Sequence, residues 1–297
     1  MSNYPKPILK WVGGKTQIID LIMNKIPTRI NNYREIFVGG GSILFGILKL
    51  IQQEAIVVDG EIFAYDLNEG LIGMYNNIKH NPTELYENVK VYIDEYNSCQ
   101  KLEINRKPEN KEEALMNKEN YYYWIRQQFN NIEEKTSIEY SAMFIFLNKT
   151  NFRGVYREGP NGYNVPYGNY KNPKILELGH LLEIHDLIQN VNFECKGYQE
   201  SIIECLEDDF LYLDPPYVPE KQTSFVKYNI NGFNQENHLE LFTMIKERQD
   251  IRWLMSNSDV PLIHEHFTEY IIEVIETKRS INSKKPGSKT NEVLIRN

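Results

Sequence analysis

The chain has 297 residues, enough for one large domain carrying an insertion or for two modest ones, and enough to bury a core without staples. With 41% hydrophobic and 25% charged residues it reads as globular, and no apolar run approaches the roughly 20 residues that span a bilayer. The formal charge of −8 argues against nucleic acid unless the cations are segregated, and three irregularly spaced cysteines, Cys99, Cys195 and Cys205, argue against structural zinc and a disulfide framework.

The start, Met1-Ser2-Asn3-Tyr4-Pro5, lacks a basic and apolar leader pattern, so the expected location is cytoplasmic, or the host-cell interior for a viral chain, with no membrane partner. Residues 16–26 carry apolar positions at helical spacing and stop before Pro27. Residues 33–38 read as a short buried strand, and residues 42–50 as the helix after its glycines. Residues 55–58 and 61–65 bracket a turn at Asp59-Gly60, which suggests a hairpin-like entry to a second strand. From Glu69 to about Ser137 the sequence is polar and helix-prone, with Tyr121-Tyr122-Tyr123-Trp124 inside it.

The turn residues Gly154, Gly159-Pro160, Asn161-Gly162 and Pro166-Tyr167-Gly168 predict a β-hairpin over residues 152–168, its tip near 159–162. Strand-like runs return at 210–213, 251–255, 270–275 and 292–295. These elements predict an α/β fold with helices on both faces of the sheet, interrupted by a mostly helical insertion. The expected division is a first catalytic part over 1–68, an inserted recognition part over 69–176 and a second catalytic part over 177–297.

The cations are segregated. Between residues 149 and 174, Lys149, Arg153, Arg157, Lys171 and Lys174 face the single acid Glu158; between 278 and 296, Lys278, Arg279, Lys284, Lys285, Lys289 and Arg296 face only Glu292. Two basic segments on an acidic body suit a DNA-facing cleft, and two solvated loops are the alternative.

Asp214-Pro215-Pro216-Tyr217 directly follows the apolar run Phe210-Leu211-Tyr212-Leu213. Such a tetrapeptide is a chance event at roughly one in a thousand for average composition in a chain of this length, and ligands collect at the carboxyl ends of strands. An exocyclic amine on a purine is a poor nucleophile, its lone pair being delocalised into the ring. Attack needs acceptors for both N–H bonds. The Asp214 carboxylate and the Pro215 carbonyl are two such acceptors, Pro215 and Pro216 stiffen the backbone, and Tyr217 offers a face for base stacking. The alternative is a tight turn whose Asp caps the next element.

Phe37-Val38-Gly39-Gly40-Gly41-Ser42 lies between strand and helix, where glycines let backbone approach a ligand and leave helix amides for it. Its spacing departs from the dinucleotide pattern, and Trp11-Val12-Gly13-Gly14-Lys15 lacks the order of a phosphate loop, so nicotinamide and ATP are disfavoured. Asp66 ends the second strand where an acid meets ribose hydroxyls, or caps the next helix.

Together, Lys10-Trp11-Val12-Gly13-Gly14-Lys15, the residue 37–42 turn, Asp66-Leu67-Asn68, Asn164-Val165-Pro166-Tyr167-Gly168 and Asp214-Pro215-Pro216-Tyr217 resemble the Dam-type DNA adenine-N6 methyltransferases, the alpha-group, D12 class, over nearly the whole chain. The resemblance implies a Rossmann-like methyltransferase sheet, a double-stranded DNA partner, S-adenosyl-L-methionine as methyl donor and no metal. It implies cofactor contacts from Trp11, Lys15, Phe37, Gly39, Gly41, Asp66 and Asp214, and a flipped adenine beside Tyr217. It further implies that Phe152, Arg153, Val155 and Arg157 face DNA, Phe152 as a wedge in the stack and Arg157 on guanine; the alternative for Arg157 is a surface ion pair with Glu158 or another acid.

Arg153 departs from the pattern. Members directed at GATC usually carry asparagine there, and the run through Glu158-Gly159-Pro160-Asn161-Gly162 looks more like the CATG-directed subgroup, so CATG is expected ahead of GATC. A separate cognate restriction endonuclease is a partner that the resemblance allows. RNA and protein-glutamine methyltransferases are the rival readings, together with a non-catalytic DNA-binding relative. The first two typically place asparagine at the Asp214 position, and the last has no need of Lys15, Asp66, Asp214 and Tyr217 together.

Overall fold

The computed structural model describes residues 4–219, 233–278 and 289–297, with Lys278 and Lys289 described by backbone alone. Of the basic segment expected near the end, Arg279, Lys284 and Lys285 lie outside the described residues, as do Met1, Ser2 and Asn3 at the start.

In chain order the elements are α1 (Ile19–Met23), β1 (Arg29–Ile30), β2 (Tyr33–Glu35), α2 (Ser42–Gln52), β3 (Val57–Val58) and β4 (Ile62–Tyr65), followed by helices α3 (Glu69–His80), α4 (Pro82–Ser98), α5 (Lys111–Leu115), α6 (Lys118–Asn131) and α7 (Ile138–Thr150). A small hairpin of β5 (Glu158–Gly159) and β6 (Gly162–Tyr163) comes next, then α8 (Leu178–Leu187), β7 (Val191–Glu194), α9 (Tyr198–Ile203), β8 (Phe210–Leu213), α10 (Gln235–Glu247), β9 (Arg252–Ser258), α11 (Pro261–His266), β10 (Ile271–Lys278) and β11 (Lys289–Arg296). No helix among the described residues is long and apolar enough to cross a membrane.

Seven strands make one sheet in the order β10-β11-β9-β8-β2-β4-β7, parallel from β7 to β9, with β11 antiparallel to both its neighbours. The two-residue alternation of a strand assigns its side chains to two cores. Tyr212, Leu254 and Leu294 enter the core shared with α2, α3, α7 and α8, while Leu211, Leu213, Trp253, Met255, Val293 and Ile295 enter the core under α9, α10 and α11. Burial on both faces is why β8 and the Trp253-Leu254-Met255 run of β9 are continuously apolar. The fold is therefore mixed α/β, with a mostly parallel central sheet flanked by helices.

The topology also locates a crevice. From β2 the chain builds outward through β4 to β7, then returns to lay β8 on the other side of β2. Strand order reverses between β2 and β8, and at such a reversal the connections leave the carboxyl ends in opposite directions and open a ligand cleft.

Four local readings are corrected. Residues 55–58 and 61–65 do not form a hairpin: β3 pairs in parallel with β1, and β4 lies between β2 and β7. The Asp59-Gly60 amides instead donate to Ile30 and Asn31, the Asn32 side chain accepts from the Glu61 amide, and Arg29 forks onto Asp59. Distant backbone acceptors thus outcompete the two-residue turn. The helix expected over 16–26 is the short α1, and the strand expected over 33–38 ends at Glu35, where the Ile36 and Val38 amides turn to the carbonyls of Tyr212 and Tyr65. Strand β7, not foreseen, is only four residues long with polar Asn192 inside it.

The helix-prone stretch expected from Glu69 to about Ser137 holds α3 to α6, and the helices run on beyond it into α7, the centre of the group. That helix buries Tyr140 and every residue from Ala142 to Asn148, an apolar circumference that only a surrounded helix carries. It packs against α3, α4 and α6. The expected hairpin over 152–168 is shorter than its turn residues suggest. Only Glu158–Gly159 and Gly162–Tyr163 pair, the bridge of Asn151 with Tyr167 closes its base, and Phe152–Gly154 is a single 3-10 turn.

Candidate active site

β8 delivers Asp214 to the carboxyl edge of the sheet at the reversal point. Its Oδ2 forms an ion pair of 2.7 Å with Lys15 Nζ, which also donates to the Gly13 carbonyl at 2.6 Å. The other oxygen, Oδ1, is buried and has no hydrogen-bond partner among the described residues. A buried acceptor without a donor costs about 1–3 kcal/mol, and it persists where a ligand supplies the donor. Burial raises the Asp214 carboxyl above the usual range, opposed by Lys15 and assisted by the charge of Glu292. The turn-and-cap alternative for Asp214 does not describe this side chain, which is committed to Lys15.

Tyr217 sits three residues on, with its hydroxyl donating to Glu292 Oε2 at 2.7 Å and the Lys15 ammonium 4.8 Å from its ring centroid. The segment after it is pinned to β9: the Val218 amide donates to Asn257 Oδ1 at 3.1 Å, and its carbonyl accepts from the Ser258 hydroxyl. Pro215 is buried and Pro216 exposed.

The glycine turn lies at the end of β2. Gly39 has φ +47° and Gly41 φ +77°, conformations that favour glycine. A Cβ on Gly39 would meet the Trp11 indole at 2.7 Å, and one on Gly41 the Tyr75 hydroxyl at 2.7 Å. That hydroxyl donates to the Gly39 carbonyl at 2.9 Å. Gly41 is the N-cap of α2 and provides no side-chain acceptor for its first-turn amides. Trp11 is held from the far side by Tyr156, stacked at 5.8 Å, and by the edge contact with Phe144 at 6.3 Å. Phe37 stacks on Tyr198 and meets Phe233 edge-on.

Asp66, at the end of β4, ties this turn to the next. Its Oδ2 accepts from the Gly39 amide at 3.1 Å and its Oδ1 from the Asn68 amide at 2.9 Å. Asn68, not Asp66, caps α3 by accepting from the Leu71 amide. Burial raises the Asp66 carboxyl, and the amides of Asn68, Gly39 and Leu67 oppose the shift. Asp66 and the residue 37–41 turn are thus brought into direct contact, as are Lys15, Asp214 and Tyr217.

The hairpin residues gather elsewhere, around the 3-10 turn after α7. Phe152 is 48% exposed, with the Arg153 guanidinium 5.0 Å over its ring. Arg153 has φ +64°, and its amide donates to the Tyr170 hydroxyl at 3.0 Å. Val155 is half-buried, with its carbonyl accepting from Asn151. Arg157 makes no ion pair with Glu158; its guanidinium donates to Asn164 Oδ1 at 2.6 Å and to the Asn164 carbonyl at 3.2 Å. A cavity of about 470 Å3 lies apart from all these groups, lined by Lys6, Lys149, Lys174, His180 and others, and holds none of the motif residues.

An acidic strand-end carboxylate before two prolines, a glycine turn tied to a second acid and an exposed hairpin coincide with one family of sequences. The model of the D12 class N6 adenine-specific DNA methyltransferases matches residues 11–281. The chain belongs to this family. It is similar to the Type II methyltransferase M.MjaIII of Methanocaldococcus jannaschii, 33% identical over 98% of this chain and 99% of that one. It is similar also to the Type II methyltransferase M1.LlaDCHI of Lactococcus lactis subsp. cremoris, 30% identical over 98% and 95%, and to the DNA adenine methylase of Escherichia coli K12, 28% identical over 98% and 94%.

This adenine-specific DNA methyltransferase has features that its sequence did not announce. Glu292 was visible as the lone acid of the segment 278–296 and the first residue of the run 292–295, Asn257 lay beyond the run 251–255, and Tyr75 lay inside the helix-prone stretch. Each acts through a partner at least 36 residues away. Family membership implies S-adenosyl-L-methionine as donor, and the residues present fit it. The Asp66 carboxylate, held by backbone amides, has acceptor capacity left for ribose hydroxyls, and the N-cap of α2 gives its first-turn amides no side-chain acceptor.

Proposed function

We propose that this methyltransferase moves a methyl group from S-adenosyl-L-methionine to N6 of an adenine extruded from a short palindromic duplex site. The observation that carries the reading is the buried, partnerless Oδ1 of Asp214 beside Tyr217, with its sister oxygen neutralised by Lys15. Asp66, Trp11, Phe37, Gly39, Gly41 and Lys15 would hold the donor, which when bound supplies an electrophilic sulfonium methyl. Asp214 Oδ1 and the Pro215 carbonyl accept the two amine hydrogens and draw the nitrogen lone pair out of conjugation. The proline pair and the Val218 anchor keep these acceptors from relaxing away. Tyr217 takes the face of the base.

Phe152, Arg153, Val155 and Arg157 face the duplex in this reading. Arg153, standing where members directed at GATC usually carry asparagine, is the residue on which this reading places CATG ahead of GATC. The division into parts 1–68, 69–176 and 177–297 follows the same scheme, as does a separately acting restriction endonuclease.

The test is labelled methyl transfer to duplexes containing CATG or GATC, with single-molecule sequencing of DNA from expressing cells. Wild type labels adenine and Asp214→Ala, though folded, does not. Label on cytosine or polypeptide alone, or near-normal turnover in Asp214→Ala, overturns the mechanism, and label confined to GATC reverses the site preference.

A further inference from the structure

Tyr217 is gripped at its far end by an acid from the opposite end of the chain. Glu292 lies on β11, and its two oxygens divide between two hydroxyls: Oε2 accepts from Tyr217 at 2.7 Å and Oε1 from Thr277 of β10 at 3.0 Å. Thr277, itself buried, also reaches the Thr290 carbonyl at 3.2 Å. The tyrosine is therefore fixed at three points. Its neighbour Val218 is tied to β9 through both backbone groups, Lys15 stands over its ring, and Glu292 holds its hydroxyl. A tyrosine has only two side-chain torsions, and this arrangement leaves neither free.

A carboxylate suits this place because it offers an acceptor at each terminal atom: Tyr217 donates to one, and the single proton of Thr277 is shared between the other and the Thr290 carbonyl. An acid directly before Val293-Leu294-Ile295 is a poor strand former and lies near the Asp214 carboxylate, whose proton affinity it raises. Such a residue weakens its strand and crowds a second anion, and the structure uses it to hold one ring.

We propose that Glu292 is a positioning residue for methyl transfer, which through the Tyr217 hydroxyl holds that ring in the plane on which an extruded adenine stacks. This rests on the reading that Tyr217 receives the target base. Glu292 touches neither base nor donor. Its effect on the ring runs through the hydrogen bond to Tyr217, and the cycle separates that effect from its bond to Thr277 and its charge near Asp214, which do not depend on the tyrosine hydroxyl.

The experiment is a double-mutant cycle on the full chain with Glu292→Ala, Glu292→Gln, Tyr217→Phe and Tyr217→Phe/Glu292→Ala. Each is measured for kcat and KM on a methylatable duplex, and for emission of 2-aminopurine placed at the target adenine, a base whose fluorescence reports stacking. In the wild-type background Glu292→Ala lowers kcat by about tenfold to a hundredfold, the size of a hydrogen bond to a charged group, and changes the emission. Glu292→Gln, which keeps one acceptor for Tyr217, loses less and carries the test where the alanine variant does not fold. In the Tyr217→Phe background, where the hydroxyl is gone, removing Glu292 has no further effect on either signal. Equal losses in both backgrounds, or unchanged kcat and emission in the single Glu292 variants, overturn the proposal. Methylation by wild type alongside an additive cycle removes Glu292 alone; a wild type that labels no duplex removes the substrate reading with it.

Discussion

Lys15 and Asp214, 199 positions apart in the chain, meet at 2.7 Å over the carboxyl edge of the sheet. One is delivered by the loop before α1 and the other by β8, and the pair leaves a single carboxylate oxygen for a ligand. An ionised carboxylate is a stronger acceptor for an amine's hydrogens than a neutral acid, and its charge favours the developing positive charge on nitrogen. At this site burial pushes its proton affinity up and Lys15 pulls it down.

Lys15→Met removes the opposing influence, so the Asp214 carboxyl rises further. Activity that depends on the anion is present above its pKa and lost as pH falls through it. The acid limb of the pH–kcat profile therefore moves to higher pH in the variant, and turnover near neutrality drops. A pH–rate series on wild type and variant checks this; an acid limb that stays in place separates Lys15 from Asp214.

Arg157 spends two of its N–H donors on Asn164 and has others free of that contact. Arg157→Ala should reduce discrimination between cognate and singly mismatched duplexes by about tenfold. Competitive methylation of matched and mismatched duplexes reads this ratio, and an unchanged ratio with weaker binding would make Arg157 a phosphate contact.

Lys149 lies in the first basic segment, and burial, with help from the nearby Lys10 charge, lowers it to about 8. Its charge is full below that value and disappears as pH rises through it. The slope of log K against log salt for duplex binding should then shrink by about 0.7 between pH 7 and pH 9, and Lys149→Met should show the smaller slope at both. Equal wild-type slopes at the two pH values would place Lys149 away from the phosphates.

At the opposite edge of the sheet Arg34 and Asp209 pair at 2.7 Å with side chains 5% and 0% exposed. Asp209 also accepts from Asn32 and from the Leu206 amide, and Arg34 donates to Tyr65. Asp209→Ala leaves Arg34 charged and buried without its partner, for an expected loss of about 3–5 kcal/mol. Urea unfolding measures it, and a loss below about 1 kcal/mol would mean that water reaches the guanidinium.

Much of the site was legible because its chemistry is local. Asp214-Pro215-Pro216-Tyr217 occupies adjacent positions, and an apolar four-residue run before it says that the acid ends a buried strand. The glycines at 39–41 and Asp66 likewise announce themselves by standing at strand ends. Sheet pairing was less legible: β3 has two residues and finds its partner in β1, while β7 has four with a polar one inside. At such lengths the local preference is worth less than a pair of backbone hydrogen bonds made elsewhere. Arg157 was weighed against Glu158, its neighbour in sequence, yet its partner is Asn164 across the hairpin.

Residue types and their order alone determined that two acids, a proline pair, an aromatic ring and a glycine turn would stand at the ends of buried strands, since alternation and apolar runs are properties of neighbouring residues. Tertiary structure decided which oxygen of Asp214 is left over, which side chain holds the Tyr217 hydroxyl and which backbone the Asp59-Gly60 amides serve. Those are pairings between groups brought together only when the sheet reverses at β2 and β8 and β11 folds back beside β9. Their hydrogen bonds have angstrom-scale reach, and no spacing along the chain encodes them.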